Sequence, residues 1–198
     1  MIKFENIPPY LKANDKWCKW RYENRDSGIT KISYNPMTNA HASVKILFSF
    51  TNFDSVINAL NSYDGIEIRV DGKLAAVDLD YCIDNEKLSP FAEEIISHFE
   101  NTYTEISPCG TGLCKILFVA DGYVYDKDTY HIKKSETEVY VAGATNHFIT
   151  ITGGDVYLKN EIAENIDGLQ WLLGTYMKRK VPTVNDLNFE NRPLLLSN

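Results

Sequence analysis

GIEIRVDGKLAAVDLDYC, residues 65–82, is the stretch on which the reading of this chain turns. Asp71-Gly72 sits between two alternating apolar runs, and that dipeptide is a strong short-range turn signal, so the stretch predicts a β-hairpin. In the second run the period of two puts Val77 and Leu79 on one face and Asp78 and Asp80 on the other, about 7 Å apart along the strand. Two carboxylates leaving one side of an apolar strand repel each other unless a cation or a base lies between them. Oxygen ligands of this kind suit a hard ion such as Mg²⁺ or Mn²⁺. A strand end running into a solvated turn explains the same pattern, since Asp84, Asn85 and Glu86 follow, and the dipeptide spacing alone leaves both readings open.

Outward from this stretch the chain alternates strands and helices without repeats or low-complexity runs. WCKWRYE and ITKISY, joined by NRDSG, predict a hairpin, and Phe53, Val56, Ile57 and Leu60 predict a helix over about 52–63. Ser89-Pro90 opens a helix with a capping serine, proline at its first position and Glu93 and Glu94 near its positive end. TYTEIS, LCKILFVA, a hairpin through TEVYVA, and HFITITG add strands. A last helix is predicted from Asn160, with Ile162, Ile166, Leu169, Leu172 and Leu173 inward. The pattern implies an α/β (α+β) domain, mixed or antiparallel sheets with flanking helices, over residues 1–178. Residues 179–198, rich in proline and asparagine, read as a linker or tail.

Four further positions draw attention. In SPCGTG, Gly110 and Gly112 allow close backbone approach and Ser107 and Thr111 supply hydroxyls, as in a phosphate cradle, although an ordinary hairpin connection has the same look. Cys114 follows that loop directly, and a small buried apolar side chain accounts for it equally well. Glu138 is an acid on a predicted strand, and His147, at the start of another, could donate to a phosphate or simply sit at the surface.

Composition narrows the classes. A chain of 198 residues with 44% hydrophobic residues holds one sizeable core, and no run is long enough for a membrane span or a signal peptide, so a cytoplasmic protein is expected. Four cysteines without a CxxC pair read as free thiols. A net charge of -7 argues against coating nucleic acid by bulk charge. Residues 11–45 nevertheless carry seven Lys/Arg against three Asp/Glu, so an anionic ligand would approach there.

Taken in order, WCKWRYE, Lys31, Tyr34-Asn35-Pro36, VDLDYC, LSPFAEEI, TYTEISPCGTGL and EVYVAGATNHFITITG resemble the primase-polymerase domain of the archaeo-eukaryotic primase superfamily, in its phage and plasmid branch. The resemblance spans most of the chain. It implies that Asp78, Asp80 and Glu138 hold two Mg²⁺ or Mn²⁺ ions, that Ser107, Gly110, Thr111 and Gly112 seat a nucleoside triphosphate, and that Cys114 and His147 border it. It also implies a single-stranded DNA template or primer and a helicase module or partner. One departure stands out: where the family's glycine loop ends in histidine, this chain has Cys114, and a thiol offers no charge-assisted bond to a phosphate. Lys115 alternates to the other strand face and so does not replace it, whereas His147 is a possible substitute.

The expected function is therefore metal-dependent nucleotidyl transfer from nucleoside triphosphates on a DNA template. A weakened relative that binds single-stranded DNA or nucleotide beside a helicase, and a metal-dependent nuclease, are the alternatives. The basic aromatic hairpin would face the template, with at least one of Trp17 and Trp20 in the core because they point to opposite faces.

Overall fold

A computed structural model describes residues 2–26, 28–84, 87–106, 114–142, 144, 147–157 and 159–180, with the side chains of Asp84, Cys114 and Asp155 excepted. The elements run α1 (Pro9–Lys12), β1 (Trp17–Arg25), β2 (Gly28–Tyr34), α2 (Phe53–Asn58), β3 (Gly65–Val70), β4 (Leu74–Leu79), β5 (Ile83–Asp84), β6 (Lys87–Leu88), α3 (Pro90–Ser97), β7 (Tyr103–Ile106), β8 (Cys114–Val119), β9 (Lys133–Lys134), β10 (Thr137–Tyr140), β11 (His147–Ile151), β12 (Asp155–Val156) and α4 (Ile166–Thr175). This is a mixed α+β fold with two main antiparallel sheets, as the alternation of elements predicts. A four-stranded sheet has the order β11, β3, β1, β2, and a six-stranded sheet the order β12, β7, β8, β4, β10, β9.

The Asp71-Gly72 stretch is not a hairpin. β3 lies between β1 and β11 in the smaller sheet, while β4 lies between β8 and β10 in the larger one, so the chain changes sheets at this corner. Gly72 takes the left-handed conformation the turn needs, with φ of 60°, and the Leu74 amide closes it on the Asp71 carbonyl. Asp71 is pinned from both sides by Lys16 and Arg69. A local turn signal specifies the reversal but not the pairing, and here each strand finds two other neighbours.

Three layers result. Val77, Leu79, Ile116, Phe118 and Val139 of the larger sheet pack against Ile95 and Ile96 of α3 and Leu169, Leu172 and Leu173 of α4. Residues on the opposite face, among them Ala76, Leu117, Tyr103 and Tyr140, share a second core with Trp17, Ile66, Ile68, Ile149 and Ile151 of the smaller sheet. Burial of apolar area in these two layers is the main stabilising term.

Several local expectations are met. Ser89 Oγ accepts the Ala92 amide at the start of α3, and Asn52 Oδ1 accepts that of Ser55 at the start of α2. α2 ends at Asn58, short of the predicted 63, and Asn61 adopts a positive φ of 35°. α4 begins at Ile166 rather than near Asn160, because Asn165 is the residue that caps it, accepting from the Gly168 amide. Trp17 and Trp20 are both buried, Trp20 on the outward face, where Lys31 lies over its ring. Cys18 is a free buried thiol, whereas Cys82 is disulfide-bonded, against the expectation of free thiols throughout; spacing along the chain does not report which side chains the fold brings together. Among the described residues no helix is long and apolar enough to cross a membrane.

Candidate active site

Along the face of the larger sheet that looks toward the smaller one, the apolar residues Ala76, Leu117, Tyr103 and Tyr140 give way two positions further on to charge. The register pairs Glu105 with Lys115, Lys115 with Asp78, Asp78 with Glu138 and Glu138 with Lys133. Five strands thus each contribute one ionisable side chain to a single row. Directly opposed residues in antiparallel strands have Cβ atoms roughly 5 Å apart, and like charges in that relation destabilise a sheet. The Asp78 and Glu138 pair is such a contact at the middle of the row.

Its environment is uneven. Burial pushes the Asp78 carboxyl up to about 6; Lys115 draws it down, Asp80 and Glu138 push it further up, and Lys31 opposes them. Its Oδ1 is buried and has no hydrogen-bond partner. Glu138, by contrast, is held on both oxygens, by the Tyr140 hydroxyl and by Lys133 at 2.9 Å. Burial raises the Glu138 carboxyl, but the bonds from Tyr140 and Lys133 and the nearby His147 outweigh it, and the net direction is down. Asp80 lies just past β4, its amide bonded to the Glu136 carbonyl at 2.8 Å, and Tyr81 with φ of 54° turns the chain away immediately after.

At the other end of the row, Glu105 is fully buried and saturated. It accepts from the Tyr103 hydroxyl at 2.7 Å and from the amides of Thr152 and Gly153 at 3.1 and 3.0 Å, tying β7 to the end of β11. Lys115, also buried, stands 3.7 Å from Glu105 and opposite Asp78. Lys115 is therefore the neighbour of the acid, and Cys114 is the register partner of Leu79. The sequence reading that set Lys115 aside is corrected: alternation relative to Cys114 was right, but the face that matters is the one shared with Asp78.

His147 begins β11 in the smaller sheet and meets the larger one by its ring, 5.2 Å from that of Tyr140. It also lines a cavity of about 340 Å³ with Lys31, Val44 and Glu67. Lys31 is held there by the buried Glu67 and the Thr150 hydroxyl, each at 2.6 Å. Ser107, Gly110, Thr111 and Gly112, the predicted phosphate loop, lie outside the described residues, as does the side chain of Cys114.

The structure thus brings Asp78, Asp80 and Glu138 to one sheet end with His147 beside them. It adds Lys115, Glu105, Tyr140 and Lys133, which sequence reasoning passed over. Their signal was a charged residue inside an apolar strand, in TYTEIS and CKILFVA, but register was needed to show that they align. The buried, unpartnered Oδ1 of Asp78 beside a second carboxylate suits a hard divalent cation. Among the described residues no group of three or more His, Cys, Asp or Glu is close enough together to hold an ion. No protein-family model matches the chain, and no curated protein matches its sequence.

Proposed function

We propose that this protein is a metal-dependent nucleotidyltransferase acting on nucleoside triphosphates and a DNA strand, a primase or primase-polymerase. The observation that carries the reading is the opposed Asp78 and Glu138 pair, with Asp80 next to it, at the charged end of an otherwise apolar inter-sheet face. Sheets avoid opposed carboxylates unless something is gained from them, and transfer of a nucleotidyl group from a triphosphate is chemistry that uses them. Asp78, Asp80 and Glu138 would hold Mg²⁺ or Mn²⁺, which when bound supplies an acidified attacking hydroxyl and neutralises charge on the α-phosphate.

The protein's own residues prepare the site. Lys115 and Lys31 favour the ionised form of Asp78, which its burial opposes. Tyr140 and Lys133 fix the Glu138 carboxylate in one orientation, limiting the rearrangement needed when a cation arrives. His147, exposed beside Tyr140, offers an imidazole to an anionic ligand.

A second reading, binding of DNA or nucleotide without turnover, is favoured by one observation: both Glu138 oxygens already have partners from the protein. Incorporation of labelled nucleotide on single-stranded and primed DNA, with Mg²⁺ or Mn²⁺, separates the two. The transferase reading expects incorporation that Asp78→Ala/Asp80→Ala abolishes. Absence of incorporation from a folded protein that still binds DNA leaves the binding reading standing, and degradation of DNA without added nucleotide would point to a nuclease instead.

A further inference from the structure

The most exposed apolar cluster of the molecule lies outside the carboxylate row. Phe48 is 88% exposed, Leu47 73%, Met37 69% and Ile46 53%. Large apolar side chains at such exposure are costly in water when grouped, and a group of them marks a surface that another molecule covers.

These residues belong to two loops joined by one side chain. Asn35, in the Tyr34-Asn35-Pro36 segment, uses its Oδ1 to accept the amides of Met37 and Thr38, at 2.8 and 3.2 Å, and its Nδ2 to donate to the Phe48 carbonyl. The second loop is closed on itself by the buried Ser49, whose Oγ accepts the Ser43 amide at 3.0 Å. The apolar tips are thus carried on a braced platform. Asn35 is the brace, which gives the Tyr-Asn-Pro segment a structural purpose.

Two observations select the occupant. The platform is built on the stretch from Leu11 to Lys45, whose seven basic and three acidic residues make it positive within an acidic protein, and Lys45 directly precedes Ile46. Val44 of the same loop walls the cavity that Lys31 and His147 also line, and His147 touches Tyr140, which holds Glu138. A ligand reaching from the carboxylates along this cavity meets the apolar tips next. Polyanion charge joined to flat apolar faces is the chemistry of single-stranded nucleic acid, whose bases stack on exposed aromatic rings while its phosphates pair with lysine and arginine.

We propose that Phe48, with Leu47 and Met37 beside it, is the base-stacking platform for a single-stranded DNA segment engaged by this protein. The inference rests on the nucleotidyltransferase or DNA-binding reading of the neighbouring site. Trp17 and Trp20, expected from the sequence to offer a stacking ring, are both buried, and Phe48 offers one instead.

The test is fluorescence anisotropy of a labelled single-stranded 25-mer with the full chain, comparing the natural protein with Leu47→Ala/Phe48→Ala and with Lys45→Gln, alongside calorimetric binding of Mn²⁺ with a deoxynucleoside triphosphate. The platform predicts about a tenfold or greater loss of DNA affinity in the double variant, with an unchanged slope of log affinity against log salt, because no phosphate contact is removed. Lys45→Gln lowers that slope. Unchanged affinity in the double variant, or no DNA binding by the natural protein, overturns the proposal. So does a dimer in light scattering that the double variant converts to monomer, which would assign the patch to a second copy of the chain. Nucleotide binding that is retained in the double variant and lost in Asp78→Ala/Asp80→Ala keeps the site reading alive when the platform fails; absence of both sinks the site reading as well.

Discussion

Glu105 and Asp78 stand on the same sheet face, one strand apart with Lys115 between them, and are handled in opposite ways. Glu105 is buried with donors from Tyr103, Thr152 and Gly153 around it and ties one sheet to the other. Asp78 is buried with an oxygen that nothing bonds, and its carboxyl is pushed up to about 6. A buried acid with all its lone pairs met serves the fold; one left incomplete is a cost to the fold that a ligand can remove.

The contrast can be broken most severely at Glu105. Glu105→Ala strips the donors of Thr152 and Gly153 of their acceptor and leaves Lys115 without its buried counter-charge, and should destabilise the protein by about 3–5 kcal/mol in urea unfolding. A loss below about 1 kcal/mol would mean that Glu105 is not a clamp. Asp78→Asn should do the reverse. Because the folded-state value of Asp78 lies above the ordinary 3.8, ionising it costs the folded protein nothing below about pH 4, progressively more from pH 4 to 6, and the full amount above 6. The variant should then be more stable than the natural protein by on the order of 2 kcal/mol at pH 8 with chelator present, and equal to it near pH 4. Added Mn²⁺ should raise the melting temperature of the natural protein only. Smallest is the change at Tyr140: Tyr140→Phe frees one Glu138 oxygen and should lower nucleotide incorporation, or Mn²⁺ affinity if there is no turnover, about tenfold with little loss of fold.

What the sequence made legible follows from range. Alternation over six residues placed Asp78 and Asp80 away from Val77 and Leu79, and capping chemistry placed α3. The Asp71-Gly72 turn was seen as a turn and misread as a hairpin, since the strands that pair with β3 and β4 lie elsewhere in the chain. Trp20 could not be recognised as buried, because what covers the outer face of β1 is not encoded in the strand's own period. The alignment of Glu105, Lys115, Asp78, Glu138 and Lys133 depends on four separate registers, and no local pattern carries that information.

The corner at Asp71-Gly72 also bears on how the protein comes to be folded. Because it sends β3 and β4 into different sheets, neither strand can pair with its nearest neighbour in sequence. The smaller sheet closes only when β11 docks, and the N-terminal segment is then laced to that strand's end, Asn6 reaching the Gly153 carbonyl across 147 residues. Chains dominated by such distant pairings must search through long loops before contacts repay the lost entropy, and they fold in milliseconds to seconds rather than microseconds. The strand that bears Asp78 is made early in synthesis and gains its opposed acid only after Glu138 has left the ribosome.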